Sequence, residues 1–262
     1  MFGFRKTEVD LKMESIYLSD GERAKRSASV RVGAGPGENP SVRSAHYLGS
    51  EGEFYFRWQQ RSGDDGAIVN GRNFQKYISA QDCVLYFGCG GGFLSKNLSC
   101  GRRLGVEINP AARLVAKNNG IECFAELAEL PDLLVDVAIS NHALEHVPAP
   151  VEILAEIHRR IKPNGVLVLK LPIDDWRTQR NIKRDDINHH LYTWTPQLLF
   201  NCLKEAGFEK HRISISIYTH AWFPGAMTAY RFLPQFVFDI GCRLFSILKR
   251  RRQLLAIATK AS

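Results

Sequence analysis

Val84-Leu85-Tyr86-Phe87-Gly88-Cys89-Gly90-Gly91-Gly92 is an apolar run that ends in glycines, and a helical segment opens at Phe93. A strand that passes through glycines into a helix makes an anion- or nucleotide-binding turn. Glycines let the backbone approach a ligand closely, and the helix N-terminus offers unpaired N–H groups. The next apolar run, Arg103 to Glu107, ends in a carboxylate that can accept hydrogen bonds from ribose hydroxyls. An adenosine-containing ligand is therefore expected. A dinucleotide site wants Gly-x-Gly-x-x-Gly, and here Phe93 stands where the third glycine should be. That position needs close helix–strand packing, so Phe93 argues against a nicotinamide cofactor and for the Gly-x-Gly-x-Gly form.

Outward from this loop the pattern is regular. Ile68 to Ile78 predicts an amphipathic helix, Cys83 to Phe87 a strand, and Phe93 to Leu98 a helix. Arg103–Glu107, Ile121–Phe124, Leu134–Ser140 and Val166–Leu171 predict further strands. Pro110–Asn118, Pro150–Ile161 and Pro196–Ala206 predict helices, each opened by a proline. Pro163-Asn164-Gly165 predicts a turn; Phe208–Tyr218 and Gln253–Thr259 predict the last strands. Strands alternating with helices argue for βαβ units and a parallel sheet, and near-continuous apolar strands fit a sheet covered on both faces.

These segments resemble the class I S-adenosylmethionine (SAM) dependent methyltransferases. Val84–Gly92 is similar to their first motif, and Gly105-Val106-Glu107-Ile108-Asn109-Pro110 to their acidic second-strand motif. Asp136–Val147 resembles the fourth strand and the loop after it. Ile161–Leu167 resembles the Leu-Lys-Pro-Gly-Gly turn, and His190–Pro196 with Ala206-Gly207-Phe208 the late segment. The resemblance runs from about 68 to 218, with the last strand near 253 to 259. It implies an α/β Rossmann-like fold: a seven-stranded, mostly parallel sheet with an antiparallel last strand and helices on both faces. It implies SAM as cofactor, with Gly88, Gly90 and Gly92 lining the methionine and ribose region. Glu107 would bind the ribose, Ile108 would pack on adenine, Glu126 and Leu127 would meet the adenine edge, and Asn141 and His142 would sit near the sulfonium. The chain departs from the family at Tyr86, where an acid is common, and at Asn164, where glycine is usual.

Methyl transfer needs a positioned nucleophile, and an oxygen or nitrogen acceptor also calls for a general base. His190 matches the family histidine and is the first candidate; His142 is the second. His142-x-x-Glu145-His146 also reads as an inverted zinc-protease motif, but the resemblance places Leu-Glu-His-Val here without that chemistry, so no metal is assigned. Asp174 is read as a substrate contact or a turn cap.

Residues 1–67 are expected to form a partly disordered arm ending in an aromatic docking segment: Tyr47, Phe54, Tyr55, Phe56 and Trp58. Residues 68–262 are expected to form the methyltransferase domain, with an insert at 219–252. Within it, Tyr230 to Leu248 carries apolar residues at helical spacing and Lys249-Arg250-Arg251-Arg252 follows. A lid packed on the domain is the favoured reading, and peripheral membrane contact through 230–252 the alternative. The chain of 262 residues has a net charge of +8, which suits nucleic acid, a membrane surface or an acidic substrate alike. No nucleic-acid partner is expected, because the basic residues follow no recognisable binding motif. The six cysteines are read as buried hydrophobes. Met1 to Lys12 has no apolar core of a signal peptide and no run reads as a membrane span, so a cytoplasmic location is expected.

The expected reaction is methyl transfer from SAM to a small-molecule or glycan/lipid-linked acceptor. The alternatives are a catalytically inactive methyltransferase-fold binding protein, which Tyr86 keeps open, and a nicotinamide-dependent oxidoreductase. Acceptor identity and oligomeric state are not encoded in these motifs.

Overall fold

The computed structural model describes residues 44–60, 63–175, 177 and 179–262. Of the arm expected at 1–67, residues 1–43 lie outside the described residues. The described part opens with a short 3-10 turn, Ala45–Tyr47, and helix α1, Gly49–Gln59. Helix α2 spans Gly63–Gln75, so the boundary expected at 67/68 falls inside a helix. There follow β1 (Cys83–Phe87), α3 (Phe93–Lys96), β2 (Arg102–Val106), α4 (Pro110–Asn118), β3 (Glu122–Phe124) and β4 (Val135–Asn141). Then come α5 (Pro150–Arg160), β5 (Ile161–Ile173), α6 (Pro196–Glu205), β6 (Ile213–Tyr218), α7 (Ala226–Phe232), α8 (Gln235–Lys249) and β7 (Arg252–Thr259).

The seven strands form one sheet in the order β3-β2-β1-β4-β5-β7-β6. The pairs within β3-β2-β1-β4-β5 are parallel, and β7 runs antiparallel to both β5 and β6. This is the Rossmann-like arrangement expected above. Side chains alternate across the sheet. Leu85, Ala138, Leu167 and Leu169 face a core completed by Leu154 and Ile157 of α5 and Leu199 and Leu203 of α6. Val84, Tyr86, Ile139 and Val168 face the other, completed by Phe74 of α2, Leu94 of α3 and Ala116 of α4.

Local chemistry sets the helix starts. Asn109 Oδ1 accepts from the backbone N–H groups of Ala111 and Ala112, with Pro110 at the first turn of α4. Thr195 Oγ1 accepts from Leu198 N at the start of α6.

The structure corrects three expectations of detail. The predicted helix at 68–78 starts earlier and ends at Gln75. Phe208 to Arg212 is not strand, because Lys210–Arg212 makes a 3-10 turn before β6. The turn at Pro163-Asn164-Gly165 is absorbed into β5 as an irregularity opposite Val135 and Val137, with Asn164 at φ 61.

Candidate active site

The glycine loop lies at the C-terminal end of β1, the edge where parallel α/β sheets bind ligands. Gly88, Gly90 and Gly92 all hold left-handed φ values, 69, 52 and 74. Each glycine answers a different constraint. A Cβ on Gly88 would fall 2.3 Å from Ala143 Cβ, and one on Gly92 would meet Ile121 and the backbone of Ala116. A Cβ on Gly90 would have nothing nearer than Gln59 Oε1, at 3.7 Å, so this glycine faces open space.

Glu107 ties the loop to the second strand. Its Oε2 accepts from Gly90 N and its Oε1 from Asn109 N, both at 2.9 Å. Burial raises its carboxyl above the ordinary value, and the backbone N–H groups of Asn109 and Gly90 work against that rise. Ile108 follows, half-buried, with its carbonyl accepting from Arg113. Leu127 is placed differently from the expectation: its side chain is 3% exposed and packs in the core with Leu104 and Val106. It presents no side-chain surface to an adenine ring there. Glu126 precedes it, half-buried.

Tyr86 turns into the core under α2, and its hydroxyl is hydrogen-bonded by the Asn141 side chain. Asn141 Oδ1 is left buried without a hydrogen-bond partner at the end of β4. An orphaned buried acceptor is costly and marks a place for an incoming donor. On the same sheet face Lys170 is 3% exposed; it donates to Asn70 Oδ1 at 2.7 Å, and burial draws its pKa down to about 7.

Next to the glycine loop is a cleft of about 400 Å³. Tyr55, Trp58 and Gln59 of α1 line it, opposite His142, Glu145, His146, Asn188 and His190. The aromatic docking segment thus forms a wall of this cleft. Phe56 is buried, Phe54 is exposed, and Asn109 Nδ2 donates to Gly52 O to hold α1 against α4.

The two candidate histidines are both on this cleft. His190 Nδ1 donates to Asp174 Oδ2 at 2.8 Å. Burial lowers the His190 pKa, but the Asp174 carboxylate outweighs it and the net shift is upward. Asp174 thus orients an imidazole, a role the sequence alone did not give it. His142 holds a left-handed φ of 54, an uncommon conformation for a residue with a Cβ, and its Nε2 meets Gln253 Oε1 at 3.1 Å.

Tyr47, His146 and Glu145, which the sequence named without a catalytic role, lie beside these histidines. The Tyr47 hydroxyl donates to Asn188 O and lies 2.6 Å from His146 Nδ1. His146 Nε2 stands 3.9 Å from Glu145 Oε1, and the His189 carbonyl is a further backbone partner of the ring. Burial draws the His146 pKa down to about 4, so the ring is neutral near neutral pH. Glu145 is 0% exposed, and neither carboxylate oxygen has a hydrogen-bond partner among the described residues. His142 Nδ1 stands 3.5 Å from Oε1, a charge–charge rather than a hydrogen-bonding distance. Burial would raise the Glu145 carboxyl, but His142 and His146 outweigh it and hold it below the ordinary value. Glu145, His146 and His190 each offer a ligand atom, all within 4.8 Å of one another.

Residues 57–213, more than half of the chain, match the model of the family described as "Methyltransferase domain". The chain belongs to this methyltransferase family. The nicotinamide alternative gives way to that match. A ubiquinone biosynthesis O-methyltransferase of Photobacterium profundum is 33% identical over 94 residues, covering 31% of this chain and 40% of that protein. The mitochondrial enzyme of the same description from Schizosaccharomyces pombe is 37% identical over 103 residues, covering 33% of this chain and 36% of that protein. The match thus spans well under half of the relatives' own length. A SAM-dependent methyltransferase from Archaeoglobus fulgidus superposes with a TM-score of 0.56 at 18% identity, over 79% of this chain and 100% of that one. That likeness concerns the fold.

The cofactor that goes with this family is SAM, and three features at this edge of the sheet fit it. Gly90 leaves room for close approach, the Glu107 carboxylate sits where ribose hydroxyls can donate to it, and Asn141 Oδ1 awaits a donor.

Proposed function

We propose that this chain transfers the methyl group of SAM to a hydroxyl oxygen of a planar, aromatic small-molecule acceptor bound in the cleft beside Gly90. The observation that carries this reading is the Asp174–His190 pair facing a cleft walled by Tyr55 and Trp58. Bound SAM supplies an electrophilic methyl on a sulfonium. The chain's residues do the rest. Gly88, Gly90, Gly92, Glu107, Ile108 and Asn141 hold the cofactor. Tyr55 and Trp58 stack against a flat acceptor, and ring–ring packing fixes its plane. His190, its Nδ1–H held by Asp174, presents Nε2 to take the hydroxyl proton. The relatives' description as O-methyltransferases of ubiquinone biosynthesis supports an oxygen acceptor of this kind. The experiment is a panel of phenols and catechols, with aliphatic alcohols and amines beside them, read by S-adenosylhomocysteine release. Turnover confined to the ring hydroxyls is the expected result. Turnover on amines alone would overturn the oxygen acceptor, and SAM binding without turnover on any acceptor would favour a binding protein.

One observation favours a second reading of how the proton is lost. Glu145, His146 and His190 each offer a ligand atom, all within 4.8 Å of one another, and a cation among them would offset the cost of burying the Glu145 carboxylate. Tyr47 and Asp174 hold the far nitrogens of His146 and His190, the kind of outer-shell support that metal-ligating histidines receive. In this reading Glu145, His146 and His190 hold a divalent cation, replacing the metal-free assignment made from sequence. Treatment with a chelator separates the two readings. Loss of turnover restored by Mg²⁺, Mn²⁺ or Zn²⁺ and absent in Glu145→Gln supports the cation; full activity after chelation leaves His190 as the base.

A further inference from the structure

The insert between β6 and β7 lies beyond residue 213, where the family match ends. Its helix α8 is apolar on two sides. Phe238, Cys242 and Ser246 recur every four residues and face inward, where Phe238 and Cys242 pack on Val69 of α2 and Ala226 of α7. At about 100° per residue, Phe236, Ile240, Leu244, Ile247 and Leu248 fall roughly on the opposite side. They are uncovered: Phe236 is 68% exposed, Leu244 63% and Leu248 77%. Phe232, just before the helix, is 80% exposed. The lid reading accounts for the inner face and leaves this outer one unexplained. A contiguous apolar strip of this kind marks an interaction surface.

Charge says what kind. Arg243 lies on the helix and Lys249, Arg250, Arg251 and Arg252 close it, all exposed. The insert 219–252 contains one acidic residue, Asp239, and that carboxylate is turned to Arg72 and His220. The outer face therefore presents apolar side chains bordered by five cations, against which the loop after β5 sets the carboxylate of Asp175 near Arg250. Arg250 takes a left-handed φ of 53 and stops the helix, so the basic run turns away from its axis. Among the described residues no helix is long and apolar enough to cross a membrane.

We propose that α8 and the basic run after it dock this protein on an anionic lipid surface, apolar side chains in the acyl boundary and cations among the headgroups. The inference stands apart from the methyl-transfer reading, since it uses none of the cleft residues. The test is co-sedimentation of the full chain with vesicles of phosphatidylcholine alone or mixed with phosphatidylglycerol. The expected result is binding to the mixed vesicles at least ~10-fold tighter than to the neutral ones, weakening as salt is raised. Phe236→Asp with Leu244→Asp should abolish it. Arg250→Glu with Arg251→Glu should remove the preference for the anionic lipid. Retained SAM binding in both variants shows that the fold is intact. Equal binding of wild type and the aspartate variant, or no binding to either vesicle, would overturn the proposal. A dimer in light scattering that the aspartate pair dissolves, without vesicle binding, would assign the face to a second copy of the chain instead.

Discussion

Gly90→Arg is expected to weaken SAM and S-adenosylhomocysteine binding by at least ~100-fold, about 2.7 kcal/mol, while the protein stays folded. The position is permissive for the fold and prohibitive for the ligand. A Cβ there meets nothing nearer than Gln59 Oε1 at 3.7 Å, so the new side chain enters the cleft instead of the core. The left-handed backbone, φ 52, costs a non-glycine residue about 1–2 kcal/mol, which a domain with two well-filled core faces can absorb. Inside the cleft the guanidinium lies close to the Glu107 carboxylate, whose Oε2 bonds Gly90 N, and competes for the group assigned to the ribose. Calorimetric titration measures the affinity and thermal unfolding measures the fold. Gly92→Ala makes the contrast: its Cβ would sit 3.2 Å from Ala116 Cα, so it should lower stability first. Unchanged SAM affinity in Gly90→Arg would place the cofactor elsewhere.

His190→Ala is expected to lower kcat by about 10²- to 10⁴-fold with SAM affinity changed by less than ~3-fold. The imidazole lies on the cleft with Glu145 and His146, and no glycine of the loop is among the residues that line it. Asp174→Asn separates orientation from proton transfer. The Asp174 carboxylate holds the His190 pKa above its ordinary value, so a base at this position becomes competent only as pH rises through that displaced value. Turnover in the wild type should therefore climb on a limb lying above the ordinary imidazole range. In Asp174→Asn the limb should move to lower pH, since the group that favours the charged ring is gone, and the plateau should fall because the ring is less well held. A pH–rate profile unchanged in Asp174→Asn would remove His190 from proton transfer. Loss of turnover in His190→Ala together with chelator sensitivity would assign the same side chain to the cation.

Much of the fold was legible because its determinants are local. Each strand from Cys83 to Leu171 is a short apolar run, and each long helix in that stretch has a proline start. The glycine spacing at 88, 90 and 92 declares a backbone that only glycine adopts easily, and all three φ values are left-handed. Glu107 was legible for the same reason, since its distance from the loop is set by one helix and one strand. The burial of the Leu127 side chain was not legible, because a short turn after β3 rotates it into the core and a one-residue rotation leaves no trace in composition.

The sheet, the glycine turn, the cofactor class and the roster of polar groups near the C-terminal edge are all written in local pattern. Which of those groups meet is not, because it depends on how the elements pack. Tyr47 hydrogen-bonds His146 from 99 positions away, and Asp174 orients His190 across a loop. Glu145 becomes a buried carboxylate beside two histidines because its neighbours close over it, and α8 keeps an outer apolar face because nothing in the described chain covers it. Secondary structure follows from periodicity along the chain. Protonation, orientation and exposure follow from what lies across space, and that is written only once the chain has folded.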